Sequence, residues 1–155
     1  MNAARPPGYV LRIAQEADIP AIEALDRENM RAQVERYYPG SWDDQSSREL
    51  IVRHLAQARI MDFAGQAVGH FYWWQDPPGT AILNSIQLLE AHRGRGLGGW
   101  MLAEFEREAM AAGCHTAELA VFEDNRARNL YARAGYAQIG MDGPHAFVLG
   151  KRLTP

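Results

Sequence analysis

Cysteine is nearly absent: Cys114 is the single thiol among 155 residues. One thiol cannot close an internal disulfide, so nothing points to an oxidising compartment. Long apolar runs are missing as well, and none approaches the roughly 18 residues of a membrane span. Basic charge is not in excess. The formal net charge is −3, which argues against non-specific nucleic-acid binding through a dense basic surface. Met1 to Gly8 holds one arginine and two prolines around no apolar centre, unlike a signal peptide. The five histidines show no metal-ligand spacing, and Cys114 has no His/Asp arrangement near it, so no metal is expected. Repeats, low-complexity tracts and interdomain linkers are missing too. These absences leave a soluble cytoplasmic protein, with no membrane or nucleic-acid partner, as the expectation.

What is present is ordinary globular material, 47% apolar and 23% charged. A chain this long can bury about 68–70% of its unfolded surface, so it needs no disulfide or metal to fold. One domain is expected over residues 9–155, after a loose N-terminal arm at 1–8. Cys114 reads as a small buried residue beside a strand.

Tyr9 to Ala14 alternates apolar and polar residues and suits a strand. Asp18 reads as a helix N-cap with Pro20 in the first turn. Ile19, Ile22, Leu25 and Met30 then follow a helical spacing, and Tyr37-Tyr38-Pro39-Gly40-Ser41 breaks it. Ser46 or Ser47 is a candidate cap for a second helix carrying Leu50, Ile51, His54 and Leu55. Strands are expected over 59–64 and 67–75, joined by the turn Ala64-Gly65-Gln66, and over 81–89 after Asp76-Pro77-Pro78-Gly79. Phe71-Tyr72-Trp73-Trp74 should alternate between sheet faces, half in the core and half free to line a pocket. A long helix starts near Leu97. Its apolar face is Leu97, Met101, Phe105 and Ala109, and Gly113 is its stop. Thr116 to Phe122 is a strand, Ala127 to Ala134 a short helix, and Tyr136 to Met141 and His145 to Lys151 are closing strands.

Residues 82–99 thus run strand, glycine-rich turn, helix. Glycines let backbone approach an anion, and the first-turn amides of the helix then point at it. Arg93 and Arg95 add positive charge, so pyrophosphate is the natural ligand. Gly94-x-Gly96-x-x-Gly99 matches the dinucleotide fingerprint, with Glu118 downstream as the acidic residue. A nucleotide-binding redox domain fails on chain arithmetic, because only 56 residues of the 155 follow Gly99. The Lys-Ser/Thr ending of a P-loop is also missing.

In another register, Arg93-x-x-Gly96-x-Gly98 resembles the acyl-CoA-binding signature of the GNAT family of N-acetyltransferases. The stretch from Val121 to Tyr136, with Ala127, Leu130-Tyr131 and Gly135-Tyr136, resembles that family's second signature. Asp62 to Gly69 is similar to its hairpin between the second and third strands. The resemblance implies an α/β (α+β) single-domain fold: a mixed, mostly antiparallel central sheet of about seven strands flanked by about four helices. It implies acetyl-CoA as cofactor, held by Arg93, Gly94, Arg95, Gly96, Leu97, Gly98 and Gly99. It implies direct acetyl transfer to the primary amine of a small molecule or peptide. Tyr131 would be the general acid at the thioester sulfur, and strand amides near Gln87 and Leu88 would polarise the carbonyl. The family's pantetheine-contacting Asn falls on Asp124 when counted back from Tyr131, with Asn125 one step out of register. Which of the two fills that place is left open, with Asn125 the candidate of matching type.

The general base stays open. Ile82 to Leu89 holds no Asp or Glu. A water relay at Asn84 or Ser85, Glu118 on the next strand, and His70 are the candidates. The missing carboxylate also keeps a non-catalytic acyl-CoA-binding module as a rival, which turnover of any amine would exclude. Trp42 and Tyr37-Tyr38 fall where relatives place acceptor-binding helices. The apolar run Phe147-Val148-Leu149 is a candidate edge or face for a homodimer. Between Glu16 and Leu50, nine acids face four bases, a local charge of −5 that favours a cationic acceptor.

Overall fold

Strand-forming segments rich in β-branched and aromatic residues pair into one seven-stranded sheet in the computed structural model, which describes residues 4–155. Met1 to Ala3 of the expected arm lie outside the described residues. The strands are β1 (Tyr9–Ile13), β2 (Ala58–Phe63), β3 (Gln66–Gln75), β4 (Thr80–Leu88), β5 (Thr116–Phe122), β6 (Ala137–Asp142) and β7 (Ala146–Arg152). The helices are α1 (Ile19–Tyr37), α2 (Asp44–Arg53), α3 (Leu97–Ala111) and α4 (Ala127–Arg133). The sheet order is β1-β2-β3-β4-β5-β7-β6. Every neighbouring pair is antiparallel except β4 and β5. This is the mixed, mostly antiparallel α+β fold with seven strands and four helices.

Both faces of the sheet are covered. On one, Met61, Phe71, Trp73 and Leu83 pack with Leu97, Met101, Phe105 and Ala109 of α3, the four-residue stripe expected from the sequence. Phe105 is fully buried and meets the rings of Phe71 and Trp73 edge-on. On the other, Ile19 and Ile22 of α1 and Ile51 of α2 cover Ala58, Ile60 and Tyr72. Truncating Phe105, fully buried between α3 and the sheet, leaves a cavity in the larger core. Phe105→Ala is therefore expected to cost about 3–5 kcal/mol, read as an earlier urea midpoint with an unchanged slope.

Four expectations need correction. Asp18 holds the N-cap position of α1, but its side chain does not cap that helix. It closes a 3₁₀ turn, where its carboxylate accepts from the Gln15 N–H at 2.7 Å and from Arg12 at 2.8 Å. The cap of α2 is Asp43, not Ser46 or Ser47; Asp43 accepts from the Gln45 N–H at 3.1 Å, and the Ser46 hydroxyl donates to it. The aromatic run of β3 leaves neither half free to line a pocket: Phe71 and Trp73 enter one core, and Tyr72 and Trp74 pack into the other. The Phe147-Val148-Leu149 run cannot supply a dimer edge, because β7 is hydrogen-bonded on both sides; the edge there is β6.

One irregularity positions the site. β4 and β5 pair only over Thr80–Ile82 and Thr116–Glu118, then separate. The register of β4 against β3 also slips, from Trp73↔Leu83 to Tyr72↔Ser85, leaving Asn84 without a partner. This bulge shifts the alternation by one residue. Leu83 faces α3, whereas Ser85 and Gln87 face α1.

Candidate functional site

The separation of β4 from β5 opens a cleft of about 900 Å³. Its floor is β4 from Leu83 to Leu88 and β5 from Leu119 to Phe122. The glycine loop forms one end, the start of α4 one wall, and Asn29, Met30, Tyr38 and Asp142 the α1 side. Of the residues singled out in the sequence, Asn84, Ser85, Gln87, Leu88, Arg93, Gly94, Gly96, Leu97, Gly98, Gly99, Asn125 and Tyr131 all line it. Arg95, Glu118, His70 and Asp124 do not. Arg95 turns away, its guanidinium donating to the Tyr9 hydroxyl of β1 at 3.3 Å. Glu118 lies opposite Ile82, where β4 and β5 are still paired, short of the opening.

At the loop end, Gly96 has φ +81° and precedes the first residue of α3. The first intrahelical bond runs from the Trp100 N–H to the Gly96 carbonyl, so the amides of Leu97, Gly98 and Gly99 have no acceptor within the helix. A β-carbon on Gly98 would sit 3.2 Å from Leu130 of α4, so glycine lets α3 and α4 approach. Arg93 lines the cleft but folds back onto β4, donating to the Leu88 carbonyl and to Asn29 Oδ1 at 2.9 Å.

Strand alternation sorts the candidate amides of β4. The Leu89 N–H donates to Val68 on β3, whereas the Leu88 carbonyl accepts from Asn29 and Arg93 instead. Backbone groups alternate sides along a strand. Leu88 and Ile86 therefore turn their N–H groups to the opening, and Gln87 turns its own to β3. The Gln87 side chain accepts from Asn29 at 3.0 Å.

Tyr131 is buried on the cleft wall, edge-on to Tyr136. Among the described residues its hydroxyl has no hydrogen-bond partner. Burial raises its pKa, so the phenol keeps its proton.

Asn125 and Asp124 are both committed. Asn125 Oδ1 accepts from the Ala127 N–H at 2.9 Å, and its amide donates to Gln33. Asp124 accepts from Gln33 at 2.9 Å and pairs with Arg36 at 3.0 Å. Arg36, Gln33 and Asn29 form one stripe of α1 that ties the end of β4 to the end of β5 across the gap.

Tyr38 lines the cleft, Tyr37 stacks on Phe122 and His145, and Trp42 lies outside, donating to Asp44.

Sequence reasoning named His70, Ser85 and Asn84 but missed the carboxylate that joins them. Asp26 of α1 is buried against the sheet. Its Oδ1 lies 2.8 Å from His70 Nε2 and accepts from the Ser85 hydroxyl at 2.7 Å. Its Oδ2 accepts from the Tyr72 hydroxyl at 3.4 Å, which in turn accepts from Asn84 at 2.9 Å. The signal was there: Asp26 stands four residues after Ile22 and seven after Ile19, on the apolar stripe, where a lone carboxylate needs a reason.

The family model described as the acetyltransferase (GNAT) family matches residues 19–136. No curated protein matches significantly. Many solved structures share the fold. Ard1 from Thermoplasma volcanium superposes with a TM-score of 0.80 at 15% identity, covering 96% of this chain and 99% of its own. The PaiA N-acetyltransferase from Thermoplasma acidophilum, in complex with coenzyme A, gives 0.75 at 17%, covering 93% and 98%. YncA from Salmonella typhimurium, solved with its cofactor acetyl-CoA, gives 0.73 at 19%, covering 95% of each chain. With the split sheet, the glycine loop and a family match over most of its length, the chain belongs to the GNAT acetyltransferase family.

Proposed function

We propose that this protein is an acetyl-CoA-dependent N-acetyltransferase acting by direct transfer on a primary amine of a small molecule or peptide. The observation that carries the reading is the cleft, which runs from free α3 amides past inward-turned β4 amides to a buried phenol. Its residues fit the cofactor: Leu97, Gly98 and Gly99 offer N–H groups where a pyrophosphate needs them, and about 900 Å³ accommodates an extended arm. Acetyl-CoA supplies the activated thioester. The Leu88 N–H is fixed in direction before any substrate arrives, which suits it to polarise a carbonyl. Tyr131 holds a proton on the wall, available to a leaving thiolate. The acceptor enters from the side of Met30, Tyr38 and Asp142. Cys114 stands outside the cleft and takes no part in a covalent route.

The test is thiol release from acetyl-CoA with a panel of spermidine, tobramycin, free lysine and a short peptide with a free N-terminus. Release with one of them, and mass spectrometry of the acetylated amine, establishes the reading. Cofactor binding without release from any amine establishes the rival module, which the absence of a carboxylate on Ile82–Leu89 favours.

A cationic acceptor is the finer part of the proposal. Seven of the nine acids between Glu16 and Leu50 bond within the fold: Asp18, Glu23, Asp26, Glu35, Asp43, Asp44 and Glu49. The field at the rim is therefore diffuse. We expect kcat/KM for a cationic amine to fall only a few-fold between about 20 and 300 mM salt, as screening tightens. A flat response, or a preference for an anionic amine, overturns it.

A further inference from the structure

The acetyl-transfer chemistry leaves one requirement unmet on the cleft surface. A primary amine is mostly protonated near neutral pH, and must lose a proton before it attacks. The β4 stretch of the floor has no carboxylate, but Ser85 stands on it with its hydroxyl already committed to Asp26 at 2.7 Å. Asp26 is 4% exposed and His70 2%. A carboxylate removed from water this far is costly unless its oxygens are satisfied. Here His70, Ser85 and Tyr72 satisfy them. The bulge at Asn84 is what turns Ser85 toward α1 rather than α3, so an irregularity of the strand exists where the contact needs it.

The cluster also has a second side. His70 lines a separate hollow of about 200 Å³ between α1 and the β2–β3 face, whose rim carries the exposed Glu28. Asp26 and His70 thus connect the cleft floor to solvent on the opposite side of α1.

Resting on the acetyltransferase reading, we infer that Ser85, Asp26 and His70 form a proton relay that deprotonates the acceptor amine and discharges into this hollow. Ser85 is the catalytic residue of the three; Asp26 and His70 act through it. The ammonium gives one N–H proton to Ser85 Oγ while Ser85 gives its own to Asp26 Oδ1. The freed lone pair forms the C–N bond as the C–S bond breaks. The second N–H proton leaves with the thiolate by way of Tyr131. The Asp26–His70 pair then returns the first proton to water on the His70 side.

The titratable groups facing Asp26 are few. β3 contributes His70 and Tyr72, and β4 contributes only neutral Ser85 and, through Tyr72, Asn84. The neighbouring charges of α1 are occupied with α2: Glu23 pairs with Arg48 and Arg27 with Asp44. Glu28 reaches only the hollow.

The test is the pH dependence of kcat/KM in Asp26→Asn and Ser85→Ala, with the best acceptor of the four-amine panel and thermal unfolding measured alongside. Without the relay only free amine reacts. At pH 7 the variants should lose activity in proportion to the protonated fraction, about 1000-fold or more for an amine with the pKa of a lysine side chain and about 5–10-fold for a peptide N-terminus. They should regain up to roughly tenfold per pH unit toward the amine's own pKa. The wild-type profile should be nearly level over the same range. Should Asp26→Asn fail to fold, Ser85→Ala, which leaves the Asp26–His70 pair intact, decides alone. A residue that merely anchors α1 would lower the unfolding temperature and depress rates equally at every pH. Parallel profiles therefore overturn the relay while leaving the acetyltransferase reading standing. Absence of wild-type turnover with all four amines overturns both.

Discussion

Tyr131→Phe is expected to lower turnover by roughly 10–1000-fold while barely changing acetyl-CoA affinity. The substitution removes one oxygen and keeps the ring. The ring is what the fold uses: Tyr131 is buried, packs edge-on to Tyr136 and belongs to the α3-side core. The hydroxyl holds no protein partner among the described residues, so its removal orphans nothing and stability should hold. Burial raises the phenol's pKa, so the wild-type group stays protonated through neutral and mildly alkaline pH. Any alkaline loss of activity then belongs to another group, and the variant should show the same alkaline limb as the wild type. The measurement is steady-state thiol release beside isothermal calorimetry with acetyl-CoA. Unchanged turnover with normal binding removes Tyr131 from the chemistry. Unchanged turnover cannot be blamed on misfolding, since the variant would have to be folded to show it.

How far the sequence foretold this depends on the range of each interaction. Elements set by local periodicity were legible: the Leu97–Met101–Phe105–Ala109 stripe is buried as its spacing demands, and the strands lie within a residue or two of their expected ends. The glycine loop was legible because a left-handed Gly96 before a helix is a local requirement. Pairings between distant segments were not. An Asp before a helix usually caps it, but Arg12 and Gln15 claim the Asp18 carboxylate. Arg95 sits in the loop, where its charge suits a phosphate, yet a contact with Tyr9, 86 residues away, draws it aside. Local spacing around Asp124 and Asn125 carries no trace of Gln33, some 90 residues earlier, which binds both. Asp26 shows the same limit from the other side. Its meaning lies in His70 and Ser85, 44 and 59 residues onward, and in a bulge that no residue pattern announces.

Gly96→Val is expected to abolish measurable acetyl-CoA binding while leaving a folded protein. Two effects add. Gly96 has φ +81°, a conformation that costs an L-residue about 1–2 kcal/mol, and more for a β-branched one. Relaxing that strain swings the Arg95–Leu97 backbone and misaims the amides of Leu97, Gly98 and Gly99 proposed to hold the pyrophosphate. Beyond the strain, no atom outside its own chain neighbours lies within 4 Å of where a β-carbon on Gly96 would stand. The added methyls therefore project into open space at the cleft end, where a pyrophosphate would approach the backbone. Gly96→Ala separates the two effects, because it carries the torsional cost with only one methyl. Gly98→Ala is the packing control: its β-carbon would press on Leu130 at 3.2 Å and perturb the α3–α4 contact, without a positive φ to strain. The expected order of lost affinity is Gly96→Val, then Gly96→Ala, then Gly98→Ala, by calorimetry with acetyl-CoA and circular dichroism to confirm the fold. If Gly96→Val binds as the wild type does, the α3 amides are not the phosphate site, and the cofactor's charged end must lie elsewhere along the cleft.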